Sequence, residues 1–148
     1  MKISTKGRYG IRAMVDLAVY SAGDHVPLSN VAQRQKISNN YLEQVFSTLR
    51  KAGLVKSVKG AQGGYLLAKD PSEITAGMIL STLEGDLSVI DESKEAESQK
   101  DSIQYYLKDH LWQKINLSIE DVVKAVTLEE LAQGYKASVG ESALMYYI

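Results

Sequence analysis

The sequence predicts a mostly α fold with one small β-hairpin, on three observations. Apolar residues recur at helical spacing through most of the chain. One short stretch, Leu54 to Ala68, alternates apolar and polar residues around a glycine-rich turn. A longer stretch, from about Asp101 to Val126, carries a sustained apolar stripe with no internal turn signal.

The first helix is expected from Ser4 or Thr5 to about Ser21. Ile11, Met14, Val15 and Ala18 fall within an arc of ~100° and form its core-facing stripe. Gly23 and Asp24 end it with turn chemistry. A short second helix, Leu28 to Gln35, presents Leu28, Val31 and Ala32. After a break at Lys36 and Ile37, Ser38 is an N-cap candidate for a third helix from Asn39 to about Ala52. Leu42, Val45, Phe46 and Leu49 share one face of that helix, and Asn40, Glu43, Gln44 and Ser47 the other. Gly53 is the expected stop. Two helices joined by a tight turn, the second with short polar groups outward, fit a helix-turn-helix, and taken alone they also fit a plain helical bundle.

The next segment separates the two. Leu54 to Val58 and Tyr65 to Ala68 read as strands around Lys59-Gly60-Ala61-Gln62-Gly63-Gly64. A hairpin directly after such a helix, with a basic tip, is the wing of a winged helix-turn-helix. Its glycines permit positive φ and close backbone approach to a phosphate or a groove. A nucleotide phosphate loop is disfavoured, because no Gly-Lys-Ser/Thr follows and a strand stands where a helix should.

Thr75 should cap a helix to about Glu84 with Ile79, Leu80 and Leu83 inward. Residues 86–100 read as an acidic surface loop. In the long helix, Leu111, Ile115, Ile119, Val122 and Val126 fall within an arc of ~80°. Such a stripe needs a partner: a second copy of the chain, or the winged domain of the same chain. Thr127 to Ala132 reads as a last helical turn. The tail Leu144-Met145-Tyr146-Tyr147-Ile148 follows a flexible polar lead, Gly140-Glu141-Ser142, and is either docked or a partner-binding motif. The organisation expected is a DNA-binding domain over 1–85, a loop over 86–100 and a dimerisation helix with tail over 101–148.

Charge points to a partner. Residues 1–69 hold 11 Lys+Arg against 3 Asp+Glu, a balance of +8. Residues 70–148 hold 6 against 15, a balance of −9. A basic first half is the electrostatic footprint of phosphate contact. With no signal-peptide h-region and no apolar run near the ~18 residues of a membrane span, a cytoplasmic location without membrane contact is expected. The 148 residues include no cysteine, which removes disulfides, thiol nucleophiles and thiolate-held metals. His25 and His110 lie in unrelated segments, and no nucleophile–base or metal constellation is visible, so no catalysis, metal or cofactor is expected. The remaining alternative to a DNA binder is a protein–protein adaptor, against which the basic first half argues.

The chain resembles the Rrf-two family of bacterial transcription regulators. The resemblance rests on Lys2-Ile3-Ser4-Thr5-Lys6-Gly7-Arg8-Tyr9-Gly10, Tyr41-Leu42-Glu43-Gln44 and Leu49-Arg50-Lys51-Ala52-Gly53-Leu54-Val55. Val58-Lys59-Gly60-Ala61-Gln62-Gly63-Gly64-Tyr65 and Leu83-Glu84-Gly85 complete it. It implies a homodimeric winged helix, with the long helix exchanged across a two-fold, that binds double-stranded operator DNA, most often as a repressor. It implies base readout by Asn40, Glu43 and Gln44, whose side chains suit adenine and cytosine edges. Ser4, Lys6, Arg8, Tyr9 and Ser38 are the implied backbone contacts, joined by Ser47, Lys56, Lys59 and Gly60 of the third helix and wing. Lys59 stands where the family usually has arginine, which weakens minor-groove insertion. Cluster-binding members carry three cysteines before the long helix; Ser93, Ser98 and Ser102 occupy that region here, and a Cys-to-Ser form of an iron–sulfur sensor is the alternative reading. The cysteine-metabolism branch also lacks the cluster and shares the Tyr-Ile ending. There the resemblance implies a complex with cysteine synthase, for which Tyr146, Tyr147 and Ile148 are the candidate contacts.

Overall fold

The computed structural model describes residues 2–90 and 100–147, with side chains as far as residue 141. The described elements run α1 (Thr5–Tyr20), α2 (Leu28–Gln35), α3 (Asn39–Lys51), β1 (Val55–Val58) and β2 (Gly64–Leu67). After a 3-10 turn (Pro71–Glu73) come α4 (Ala76–Glu84), α5 (Ile103–Leu107), a π turn (Lys108–Trp112), α6 (Gln113–Ala125) and α7 (Leu128–Tyr147). The predicted winged helix-turn-helix is present.

Local chemistry sets most boundaries. Ser4, Ser38 and Thr75 each accept a backbone N–H of the first turn of α1, α3 and α4, from Gly7, Tyr41 and Met78. Gly53 (φ +80°) follows α3 and turns the chain into β1. The strands pair antiparallel with Val55 opposite Leu67 and Val58 opposite Gly64.

The core gathers Met14 and Leu17 of α1, Leu42, Phe46 and Leu49 of α3, and Ile74 and Ile79. Leu128 belongs to it as well and is fully buried. The chain after α6 therefore returns to the winged domain. Ala76 N–H donates to the Val126 carbonyl at 2.8 Å, and Leu128 N–H donates to the Ile74 carbonyl at 2.8 Å.

Helix α1 lies at the centre and packs on α2, α3, α4 and α7. Its buried residues are Gly7, Gly10, Ala13, Met14, Asp16 and Leu17, while Ile11, Val15 and Ala18 are half-buried. Of the predicted stripe only Met14 is fully buried. A central helix buries its small residues against neighbours, and an apolar count passes over glycine and alanine. A β-carbon on Gly7 would stand 2.2 Å from Glu84 Oε1, which marks how closely α4 approaches.

Three further expectations need correction. Residues 128–147 form a helix of 20 residues rather than a single turn, and Gly140, Glu141 and Ser142 lie within it instead of forming a flexible lead. Leu128 and Ala132 anchor this helix on α1, and backbone hydrogen bonding carries it onward. Next, the long helix contains a π turn. There the His110 ring stacks on Tyr106 (3.8 Å between centroids), and its Nδ1 lies 2.9 Å from the Tyr106 carbonyl. Lastly, the predicted stripe of the long helix divides. Ile119 lines a cleft against α4, and Val126 ends the helix in extended conformation. Leu111 (40% exposed) and Val122 (62%) stay uncovered, with Ile115 half-buried.

The π turn keeps the uncovered face continuous. Ile103, Leu107, Leu111 and Ile115 follow at strict four-residue spacing, which drifts ~40° per step in an α-helix. One extra residue in the turn rotates the ladder back by ~100°, so Ile103, 80% exposed, aligns with Leu111 and Val122.

Candidate nucleic-acid interface

The polar face of α3 is open. Asn40, Glu43 and Gln44 are all exposed, while Ser47 is half-buried. They project because Leu42, Val45, Phe46 and Leu49 fix the opposite face in the core. Arg50 and Lys51 lie in the last turn, where cations complement the helix dipole.

The wing stands beside this helix. A groove between them is lined by Asn39, Glu43, Arg50, Ser57, Lys59 and Gly60, among others. Of the expected readers Glu43 shares this concave surface with Lys59 and Gly60 of the wing, while Asn40 and Gln44 lie outside its lining. Asn39 and Arg50 join the expected residues: they lie four residues before and seven after Glu43, so helical spacing already puts both on its side of α3, and the approach of the wing closes the groove beside them. Tyr65 at the base of the wing packs on Phe46 (5.0 Å between centroids). Burial pushes its hydroxyl pKa up, reinforced by the nearby Glu43 carboxylate.

The wing is held by the loop after α1. Val26 and Tyr65 exchange backbone hydrogen bonds at 2.8 and 2.9 Å. The His25 Nε2 lies 2.6 Å from the Gln62 carbonyl, and its Nδ1 lies 3.0 Å from Asp24 Oδ1. The glycines of the wing divide their roles. Gly60 (φ +110°) supplies the left-handed turn. Gly63 and Gly64 face their own chain: a β-carbon would meet the Val58 carbonyl at 2.1 Å and the Val26 carbonyl at 2.2 Å. Close approach there is intramolecular, and of the wing's glycines only Gly60 combines positive φ with open space.

The start of α1 lies beside the start of α3. Tyr9 and Tyr41 meet edge to face at 5.9 Å, and the Arg12 guanidinium sits 5.1 Å over the Tyr9 ring. Arg8, exposed, donates to Thr5 Oγ1 at 3.1 Å; Lys6 is half-buried. Ser4 has a structural partner: its hydroxyl donates to Glu84 Oε1 at 2.5 Å, and its N–H donates to the same oxygen at 2.9 Å. Lys56, Lys59 and Gly60 are exposed on the wing, and Ser38 is exposed at the start of α3.

The helix-turn-helix is locked from behind by a buried charge. Asp16, 3% exposed, accepts from Arg34 Nε at 2.9 Å, Arg34 Nη2 at 2.7 Å and Gln35 Nε2 at 2.9 Å. Arg34 also lies 4.1 Å over the Tyr20 ring. No local pattern announces this pair, because its members are 18 residues apart on different helices.

A thiolate-held cluster does not fit these residues. The chain has no cysteine, and among the described residues no group of three metal-binding side chains comes together. Ser102 caps α5 by accepting from Tyr105 N–H at 3.1 Å. Ser93 and Ser98 lie outside the described residues. No helix among the described residues is long and apolar enough to cross a membrane.

An open polar α3, a braced basic wing and a basic α1 end on one side make this a winged-helix transcription regulator. Known proteins agree. The chain belongs to the Rrf2 family, described as iron-dependent transcriptional regulators, which it matches over residues 3–134. It is 41% identical to the transcriptional regulator CymR of Bacillus subtilis, with all of both chains covered. It is 43% identical to IscR of Pectobacterium atrosepticum over 88% of this chain and 79% of that one. The structure of CymR, the global cysteine regulator of B. subtilis, superposes with a TM-score of 0.77, covering 90% of this chain and 97% of that chain. DNA binding is implied by the family.

Proposed function

We propose that the protein is a homodimeric operator-binding repressor of cysteine and sulfur metabolism. The observation that carries this reading is the groove between α3 and the wing, where Glu43, Arg50 and Lys59 face one space beside exposed Asn40 and Gln44. Its width of chemistry suits base edges flanked by phosphates. Asn40, Glu43 and Gln44 read bases; Lys6, Arg8, Lys56 and Lys59 meet the backbone. A two-fold operator requires two copies, and the uncovered face of Ile103, Leu111 and Val122 supplies a seam for a second α5–α6. The regulatory theme follows from full-length similarity to CymR and from the absence of cysteine ligands.

Salt-dependent DNA affinity tests the reading. A log–log slope should appear for any duplex, and Gln44→Ala should relax preference at one base pair per half-site in a binding-site selection, at a cost of roughly 1–3 kcal/mol. A flat salt response would instead favour an adaptor. A complex with cysteine synthase through Tyr146, Tyr147 and Ile148 is the finer part of the proposal. Purified enzyme should bind the full chain and fail to bind one lacking Tyr147 and Ile148, with dimer stability unchanged. A loss of stability in that variant, with no enzyme bound by the full chain, overturns it.

A further inference from the structure

We propose that Lys36, in the turn between α2 and α3, is a phosphate-binding residue whose unfavourable backbone conformation is retained for its side chain. The inference rests on the DNA-binding reading above and extends it to a residue outside the face of α3 and the wing.

Lys36 adopts the left-handed conformation, φ 56° and ψ 46°. An L-residue there brings its β-carbon against the backbone, so glycine or asparagine is the usual occupant. The turn itself does not require lysine. Its hydrogen bonds are made by the backbone: Lys36 N–H closes on the Ala32 carbonyl, and Ile37 N–H donates to the same carbonyl at 3.0 Å. Glycine would make both without strain. Ala22, the other non-glycine residue with positive φ among those described, carries no functional group and lies in the loop after α1.

What lysine adds is a free cation. The side chain is exposed and makes no ion pair or side-chain hydrogen bond among the described residues. Its basic neighbours are engaged. Arg34 is held by Asp16, and Arg12 donates to the Gln35 carbonyl at 2.5 Å. Lys36 is thus the uncommitted positive charge at this corner, two residues before Ser38. There the amide end of α3 and the exposed side chains of Asn39 and Asn40 begin the face that meets DNA. A phosphate flanking the groove that α3 enters meets the ammonium on one side and the helix N-terminus on the other.

Four full-length proteins test this: wild type, Lys36→Gly, Lys36→Gln and Gln44→Ala. Each is titrated against a random duplex and against the duplex it selects, over a series of salt concentrations, and each is melted. Lys36→Gly should melt about 2–4 °C higher, because the strain is relieved. It should bind both duplexes about three- to tenfold more weakly, with a salt slope lower by about one. Lys36→Gln keeps the strain and loses the charge, so it should lose the same affinity without melting higher. Unchanged affinity and slope in Lys36→Gly, beside a normal slope in wild type, overturns the phosphate role alone. Equal melting of Lys36→Gly and wild type overturns the strain. A wild type with no salt slope overturns the DNA-binding reading and this one with it, and is recognised without any variant.

Discussion

Gly10 of α1 lies so close beneath Leu83 of α4 that a β-carbon on Gly10 would stand 2.1 Å from Leu83 Cδ1. Both residues are buried, so neither helix can yield without moving the core. Gly10→Ala should destabilise the fold by about 1–3 kcal/mol, the usual cost of overpacking. Chemical denaturation measures it. Adding Leu83→Ala should recover part of the loss, since the smaller side chain vacates the collision; purely additive costs would place the strain elsewhere.

One turn earlier, Glu84 serves as a second cap for α1. Its pKa is lowered, chiefly by the Ser4 hydroxyl, with the Ser4 and Gly7 N–H groups and Lys6 adding to it. A depressed folded value means that this stabilisation is complete above the ordinary carboxylate range near ~4.3 and fades as pH falls through the lower folded value. Glu84→Gln should therefore lower stability at neutral pH and flatten its decline on the acid side. Stability measured from pH 7 down to pH 3 should show the two proteins converging; parallel curves would contradict the cap.

The Asp16–Arg34 pair should be costly to break from the arginine side. Arg34→Ala leaves a buried carboxylate with only Gln35 as partner. The expected loss is about 3 kcal/mol, the lower end for a buried pair, because the Arg34 side chain is 31% exposed. Arg34→Lys should restore little, since an ammonium cannot reproduce the two-point contact. Urea denaturation of both variants decides it.

His25 should act on DNA binding as a positioning residue. His25→Ala removes the contact with the Gln62 carbonyl and releases the tip of the wing. DNA affinity should fall several-fold with little change in melting temperature. His25→Gln, which keeps an N–H donor, should retain most of it. Equal affinities for all three proteins would show that the wing needs no brace.

The two sides of the long helix should respond differently to charge. Leu111→Asp with Val122→Asp should yield a folded monomer, detected by sedimentation, that has lost operator affinity. Ile119→Asp should instead weaken the monomer fold, because Ile119 faces the cleft with α4. Dimers persisting in the first variant would move the interface off this helix.

The helix-turn-helix and wing were legible because their signals are local. Ser38 and Thr75 announce their helices, Gly53 ends α3, and alternation marks both strands within one residue of their observed bounds. The open face of α3 followed from the period of Leu42, Val45, Phe46 and Leu49. Helix α7 is not legible in the same way, because its apolar residues give no clear stripe beyond Leu128 and Ala132. The long helix hides its faces for another reason: a π turn shifts the phase that an unbroken α period assumes.

By itself, then, the sequence determined the helix-turn-helix and the wing, the exposed polar face of α3 with Asn40, Glu43 and Gln44, the basic first half and the family. Each depends on neighbours a few residues apart, or on composition, and needs no knowledge of packing. Tertiary structure alone decided which glycines are contact surfaces, that Asp16 finds Arg34, that His25 reaches Gln62, and that Ile119 turns inward while Leu111 and Val122 do not. These relationships join residues that only the packed fold brings within a few ångströms. Burial, clash and hydrogen-bond geometry act over that distance and leave no periodic trace along the chain.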